Sequence, residues 1–101
     1  MNQMQQMLMQ AQKIQRELVK AHAELDQKDY VVKKAGIVEV TLKGSKRVAS
    51  IKIEKDALTP DNEEMIEETI AMAINEAVET IKKESDAIDE KLTGQKGALP
   101  F

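Results

Sequence analysis

His22 is the one imidazole in this 101-residue chain, and no cysteine stands beside it. Without thiols there is neither a disulfide framework nor a thiolate metal site, and no cluster of His with carboxylates has the spacing of a transition-metal centre. The densest carboxylate group, Glu63, Glu64, Glu67 and Glu68, crowds the start of an expected helix. There the positive end of the helix dipole accounts for it better than acid/base catalysis does. The four glycines are scattered singly, so no phosphate-cradling loop or dinucleotide fingerprint can form. These residues predict a protein that is not an enzyme, has no metal or cofactor, and takes no small-molecule substrate.

The cations offer a different chemistry. Net charge is −3, but residues 1–55 carry 11 Lys/Arg against 6 Asp/Glu, whereas residues 56–101 carry 4 against 12. Such asymmetry points toward an anionic partner for the basic half. Modules that read single strands stack bases on aromatic rings, and this chain has only Tyr30 and Phe101. Zinc-finger spacing and a short helix-turn-helix pair are also missing. Phosphate contact by lysine and arginine remains, a mode that is sequence-independent and salt-sensitive. The candidates are Lys13, Arg16 and Lys20 on a first helix, then Lys33, Lys34, Lys43, Lys46 and Arg47 on strands and a turn. Lys82, Lys83 and Lys91 supply the positive charge of a second helix.

Positioning these groups requires elements, and the apolar spacing specifies them. Residues 2–27 read as one helix. Met4, Met7, Ala11, Ile14, Leu18, Ala21 and Leu25 recur in steps of three and four, the a/d pattern of a helix that lies along another helix. On that register Lys13, Arg16 and Lys20 fall on the opposite face, and His22 sits at an e position beside the seam as a structural or solvated imidazole. Three strands follow at about 29–34, 37–43 and 47–54. In the second, Val38, Val40 and Leu42 alternate with polar residues, and in the third Ala49, Ile51 and Ile53 do the same. The antiparallel meander they form has one apolar face and one rich in lysine. Gly44 in the turn between them is available for positive φ. A second helix is expected over about 60–92, with Thr59 as its cap, Pro60 in its first position and Gly94 at its end. Its apolar stripe runs Ile66, Ile70, Ile74, Ala77, Ile81, Ser85, Ile88, Leu92. Residues 1–93 thus read as a single domain and 94–101 as a flexible tail.

Lengths add a constraint. At about 1.5 Å per residue the second helix spans roughly 48 Å and the first roughly 36 Å. A compact domain of this size has a radius of gyration of about 13 Å, and a three-stranded sheet covers only part of either helix. The remaining seam, including Met4, Met7, Ala11, Ile14, Leu18, Ile66, Ile70, Ile74 and Ile81, calls for a second copy. The expected fold is α+β: an α-β-β-β-α protomer whose antiparallel three-stranded sheet is flanked by two long helices, working as a homodimer.

Several segments are also familiar. The string QAQKIQREL at 10–18 resembles the first-helix signature of the YbaB/EbfC family of nucleoid-associated proteins, and VEVTLKG at 38–44 resembles its central strand and turn. VASIKI at 48–53, LTPD at 58–61, AMAINEA at 71–77, LTG at 92–94 and the Leu-Pro-Phe ending are similar to its later elements. The order and spacing hold along nearly the whole chain. The resemblance implies a tweezer-like homodimer that binds double-stranded DNA, helps organise the nucleoid and modulates gene expression. It also implies DNA contact by the long helices, which carries over to Lys13, Arg16 and Lys20. Transfer to Lys82, Lys83 and Lys91 is weaker because Glu84, Asp86, Asp89 and Glu90 lie beside them. The glycine-rich stretch that often precedes the family's central strand is Lys33-Lys34-Ala35-Gly36 here. The alternative is a scaffold that docks another protein through the long helices or the Met-rich first turns. No apolar run reaches the ~20 residues of a membrane helix, and the first residues lack the basic and apolar regions of a signal peptide. A cytoplasmic, nucleoid-associated location is therefore expected, with no membrane partner.

Overall fold

The computed structural model describes residues 2–94. In order come α1 (Gln3–Gln27), β1 (Asp29–Lys34), β2 (Val38–Lys43), β3 (Val48–Ile53), two 3-10 turns (Lys55–Ala57 and Pro60–Asn62) and α2 (Glu63–Thr93). This is the expected α-β-β-β-α protomer, with an antiparallel sheet in the order β1-β2-β3. The expected tail lies, beyond Gly94, outside the described residues.

Local chemistry sets the element ends. Asn2 caps α1 through a capping box, its side chain accepting from the Gln5 N–H at 2.8 Å while the Gln5 side chain accepts from the Asn2 N–H at 3.2 Å. The helix therefore starts at residue 3, with Asn2 outside it. The sequence expects Thr59 and Pro60 to open α2, but in the structure they do not. They open the 3-10 turn Pro60–Asn62, pinned by the Asn62 side-chain amide donating to the Ala57 carbonyl at 2.9 Å, and α2 follows at Glu63. Gly94 ends α2 in the left-handed region at φ 79°, its N–H donating to the Glu90 carbonyl.

The two hairpins differ in their use of glycine. Between β1 and β2 the connection is Ala35-Gly36-Ile37, in which Ala35 and Gly36 both adopt positive φ and the Ile37 N–H donates to the Lys34 carbonyl, a turn with the two positive φ values of type I′. Between β2 and β3 the positive φ falls on Lys46, not on Gly44. Gly44 is required for a different reason. Its N–H donates to the Lys28 carbonyl at 2.9 Å, and a Cβ built on it would lie 1.8 Å from the Leu25 carbonyl oxygen. The turn is thus seated against the end of α1, at a backbone approach only glycine permits.

β2 is the central strand, and its Val38, Val40 and Leu42 are buried under Ala73, Ala77 and Ile81 of α2. The fully buried centre of α2 lies at Ala73 and Ala77, both 0% exposed, while Ile70 and Ile74 flank it half-buried. Small side chains let the helix approach the sheet closely, and the isoleucines pack beside the contact line. α2 crosses β1 and β2. By register, Val48 and Ile51 of β3 share the face of Leu42 and Val40, yet they stay 41% and 44% exposed. The overall shape is a rod of 71 × 19 × 17 Å with a radius of gyration of 19.3 Å, well beyond the ~13 Å of a compact chain this long.

Gly44→Ala is expected to lower folding stability by about 2–4 kcal/mol, because backbone meets the new methyl. Gly94→Ala, with open space around it, should cost only about 1–2 kcal/mol for its left-handed φ. Denaturant melts of the two variants side by side check the difference.

Candidate nucleic-acid interface

The first-helix cations owe their position to what α1 buries. Leu18, His22 and Leu25 form its buried face, and Lys13, Arg16 and Lys20 lie on the opposite side, all exposed. None of the three has an ion-pair partner among the described residues. They keep their full donor capacity for an external anion.

α1 is held antiparallel to α2. Leu25 and Asp26 share a depression with Ile81 and Ser85, and Ala21 and Lys20 share another with Ile88 and Leu92. Between them His22 Nε2 lies 2.7 Å from Asp89 Oδ1. Both residues are buried, at 8% and 3% exposure. A charge-assisted contact of this kind ties the two long helices across 67 residues of sequence. It settles His22 as structural. It also removes Asp89 from the carboxylates expected to crowd Lys91, since that side chain points inward.

The other candidates divide into groups. Lys91 joins Lys20 at the rim of one depression between the helices, where Glu17 and Glu24 also stand. Lys82, Lys83 and Arg47 are exposed. Lys46 lines the depression that contains His22 and Asp26. Lys34 faces α2 and pairs with Glu76 at 2.7 Å, while Lys43 pairs with Asp29 across the hairpin at 2.6 Å. Lys34 therefore stands on the α2 side of the sheet, away from the lysine-rich face, and that face is itself partly neutralised by the Lys43–Asp29 pair and by the register that sets Glu39 against both Lys33 and Lys52. Lys52 and Lys55 were not among the sequence candidates, yet they line one depression with Lys33. The alternation of β3, which turns Lys52 to the same face as Lys33 across Glu39, is the signal available for the first of them. On the α2 side of the sheet, the Tyr30 hydroxyl donates to Glu84, so this ring is engaged in the fold.

Among the described residues no group of three or more His, Cys, Asp or Glu is placed to hold a metal ion. No helix among them is long and apolar enough to cross a membrane.

The sequence profile of the YbaB/EbfC DNA-binding family matches residues 1–96. A nucleoid-associated protein of Clostridium novyi is 38% identical over 89 residues, covering 87% of this chain and 78% of the relative. A nucleoid-associated protein of Agathobacter rectalis is 37% identical over 99 residues, covering 97% and 88%. One from Lachnospira eligens is 41% identical over 78 residues, covering 76% and 67%.

If the His22–Asp89 contact joins the helices, Asp89→Ala should destabilise the fold by about 1–3 kcal/mol. Combining it with His22→Ala should cost clearly less than the sum of the two single losses. A double-mutant cycle by chemical denaturation checks this, and additive losses would mean that the two side chains act independently.

Proposed function

Because the chain belongs to the YbaB/EbfC DNA-binding family, we propose that it is a nucleoid protein that grips double-stranded DNA as a homodimer, mainly through phosphates. On this reading it helps organise the nucleoid and modulates gene expression. The observation that carries it is the exposed, unpaired row Lys13, Arg16 and Lys20 on α1. Successive cations on one helix face track a backbone of phosphates, whereas base-edge readout needs side chains inserted into a groove. Lys82, Lys83 and Lys91 extend the positive surface along α2, and Lys91 does so beside Lys20. Lys33, Lys46 and Arg47, with Lys52 and Lys55, offer further phosphate contacts at the sheet and its turn. Lys34 and Lys43 contribute less, since each already holds a carboxylate.

Dimerisation is supported by the uncovered part of the sheet. Val48 and Ile51 lie on its apolar side beyond the reach of α2, and β3 is an edge strand. Ile70 and Ile74 are only partly covered within the protomer. An apolar edge of this kind is normally covered or paired, and a second copy joined there leaves both α1/α2 arms free to project, as in a pair of tweezers. The negative net charge of −3 is compatible with this, because the acidic residues concentrate on α2 while α1 presents the cations.

Lys13→Glu with Arg16→Glu is expected to weaken binding to a random-sequence duplex at least about ten-fold, with the dimer intact by light scattering. Unchanged affinity in a folded double variant would reject α1 as the contact surface.

A further inference from the structure

The phosphate-gripping reading leaves one part of α1 unused. α2 ends at Thr93, and Leu92 lies alongside Lys20 and Ala21. The antiparallel packing therefore carries α1 past the end of α2, and there residues 3–12, roughly 15 Å of helix, precede the first phosphate candidate Lys13. In this overhang Met4, Met7 and Leu8 are 78%, 68% and 60% exposed, and Ala11 is exposed with them.

Three features indicate what covers it. The a/d spacing of the buried Leu18 and of Leu25, which lies beside Ile81 of α2, continues without a break through Ile14, Ala11, Met7 and Met4. A stripe with that period fits another helix better than a strand or a loop. Residues 1–12 contain no charged side chain, although a third of the chain is charged. Two identical copies can then meet without like-charge repulsion, which a charged stripe would forbid. Finally, the overhang is the part of the rod farthest from β3 along the run of α1, so a contact here is separate from one at the sheet edge.

We infer that the α1 overhang is a second self-contact, where the helix tip of one dimer packs antiparallel against the same tip of a neighbouring dimer. Three turns of helix on each side bury less than the roughly 1,200 Å² of a stable interface, so the contact is weak between free molecules. Dimers held side by side on one duplex have a high effective concentration, and there the weak contact becomes cooperative binding. Methionine suits such a surface because its flexible thioether adapts to imperfect register. This inference rests on the DNA-binding reading for its setting, but the contact itself can be measured without DNA.

The test compares the wild-type chain with Met4→Gln/Met7→Gln/Leu8→Gln, which keeps helix-forming residues in an already glutamine-rich stretch. On a duplex long enough for only one dimer the two should bind within two-fold of each other. On a duplex long enough for several, the wild type should bind cooperatively and half-saturate several-fold lower in protein, and the variant should lose both properties. Cooperativity retained in the variant, or missing from the wild type, overturns the proposal. If the wild type fails to bind even the short duplex, the DNA reading fails instead, and sedimentation decides the self-contact. Wild-type dimers at millimolar concentration should then show association beyond the dimer that the variant lacks. A wild type that stays a single dimeric species, with Met4 and Met7 resistant to peroxide, would mean that residues 95–101 or the dimer partner cover the stripe. That outcome also overturns the proposal.

Discussion

A sheet of three six-residue strands spans about 20 Å along each strand, whereas the 31-residue α2 laid across it reaches about 46 Å. This mismatch governs the remainder of the structure. The sheet buries only the middle of α2, through Ala73, Ala77 and Ile81 against Val38, Val40 and Leu42. What projects beyond has to find another surface, and α1 provides it by packing antiparallel along the distal half. α1 in turn outruns α2. Each element covers part of its predecessor and leaves part of itself bare, which yields a 71 Å rod from a chain that could have formed a much shorter globule.

The rod separates three surfaces that a globule would have merged. The uncovered β3 residues lie on the sheet, the cations Lys13, Arg16 and Lys20 face outward on the arm, and the uncharged methionines sit at its end. Charge follows the same division. α2 keeps most of the acidic residues, where Glu76 engages Lys34 and Asp89 engages His22. The cations of α1 have no such engagements among the described residues. An acidic protein thereby presents a basic helix, with the acidity spent partly on holding its own elements together. The overall net charge of −3 is a poor guide to the field any one face presents.

Much of this was legible from residue spacing. The period-3.5 stripe located α1 to within one residue, and the alternation of Val38, Val40 and Leu42 located β2 and its buried face. The start of α2 was misplaced by three residues because Pro60 suits a 3-10 turn as well as a first helical position. The spacing puts Ile70 and Ile74 on the central line of α2 together with Ala77, whereas the structure has Ala73 and Ala77 there and the two isoleucines beside it. A pattern weighted by hydrophobic size favours isoleucine, whereas close helix–sheet approach favours alanine. The role of Gly44 was assigned to φ, and it depends on contact with Leu25, which no local signal encodes. The partner of His22 was equally hidden, since it lies 67 residues away. For the candidate interface, the outward face of α1 follows from the helical period alone. The neutralisation of Lys34 and Lys43 required knowing which carboxylates the hairpin and α2 bring to them.

The central claim is that a dimer of this acidic chain holds duplex DNA by its phosphates, and salt dependence tests it most directly. Affinity for a random-sequence duplex is measured across a salt series, with the dimer verified at each point by light scattering. The account predicts that log affinity falls linearly and steeply with log salt, with a slope of about −0.9 for each phosphate neutralised. A slope near −5 corresponds to three cations from each of two α1 helices. A shallow slope, or no binding at low salt by an intact dimer, would contradict it.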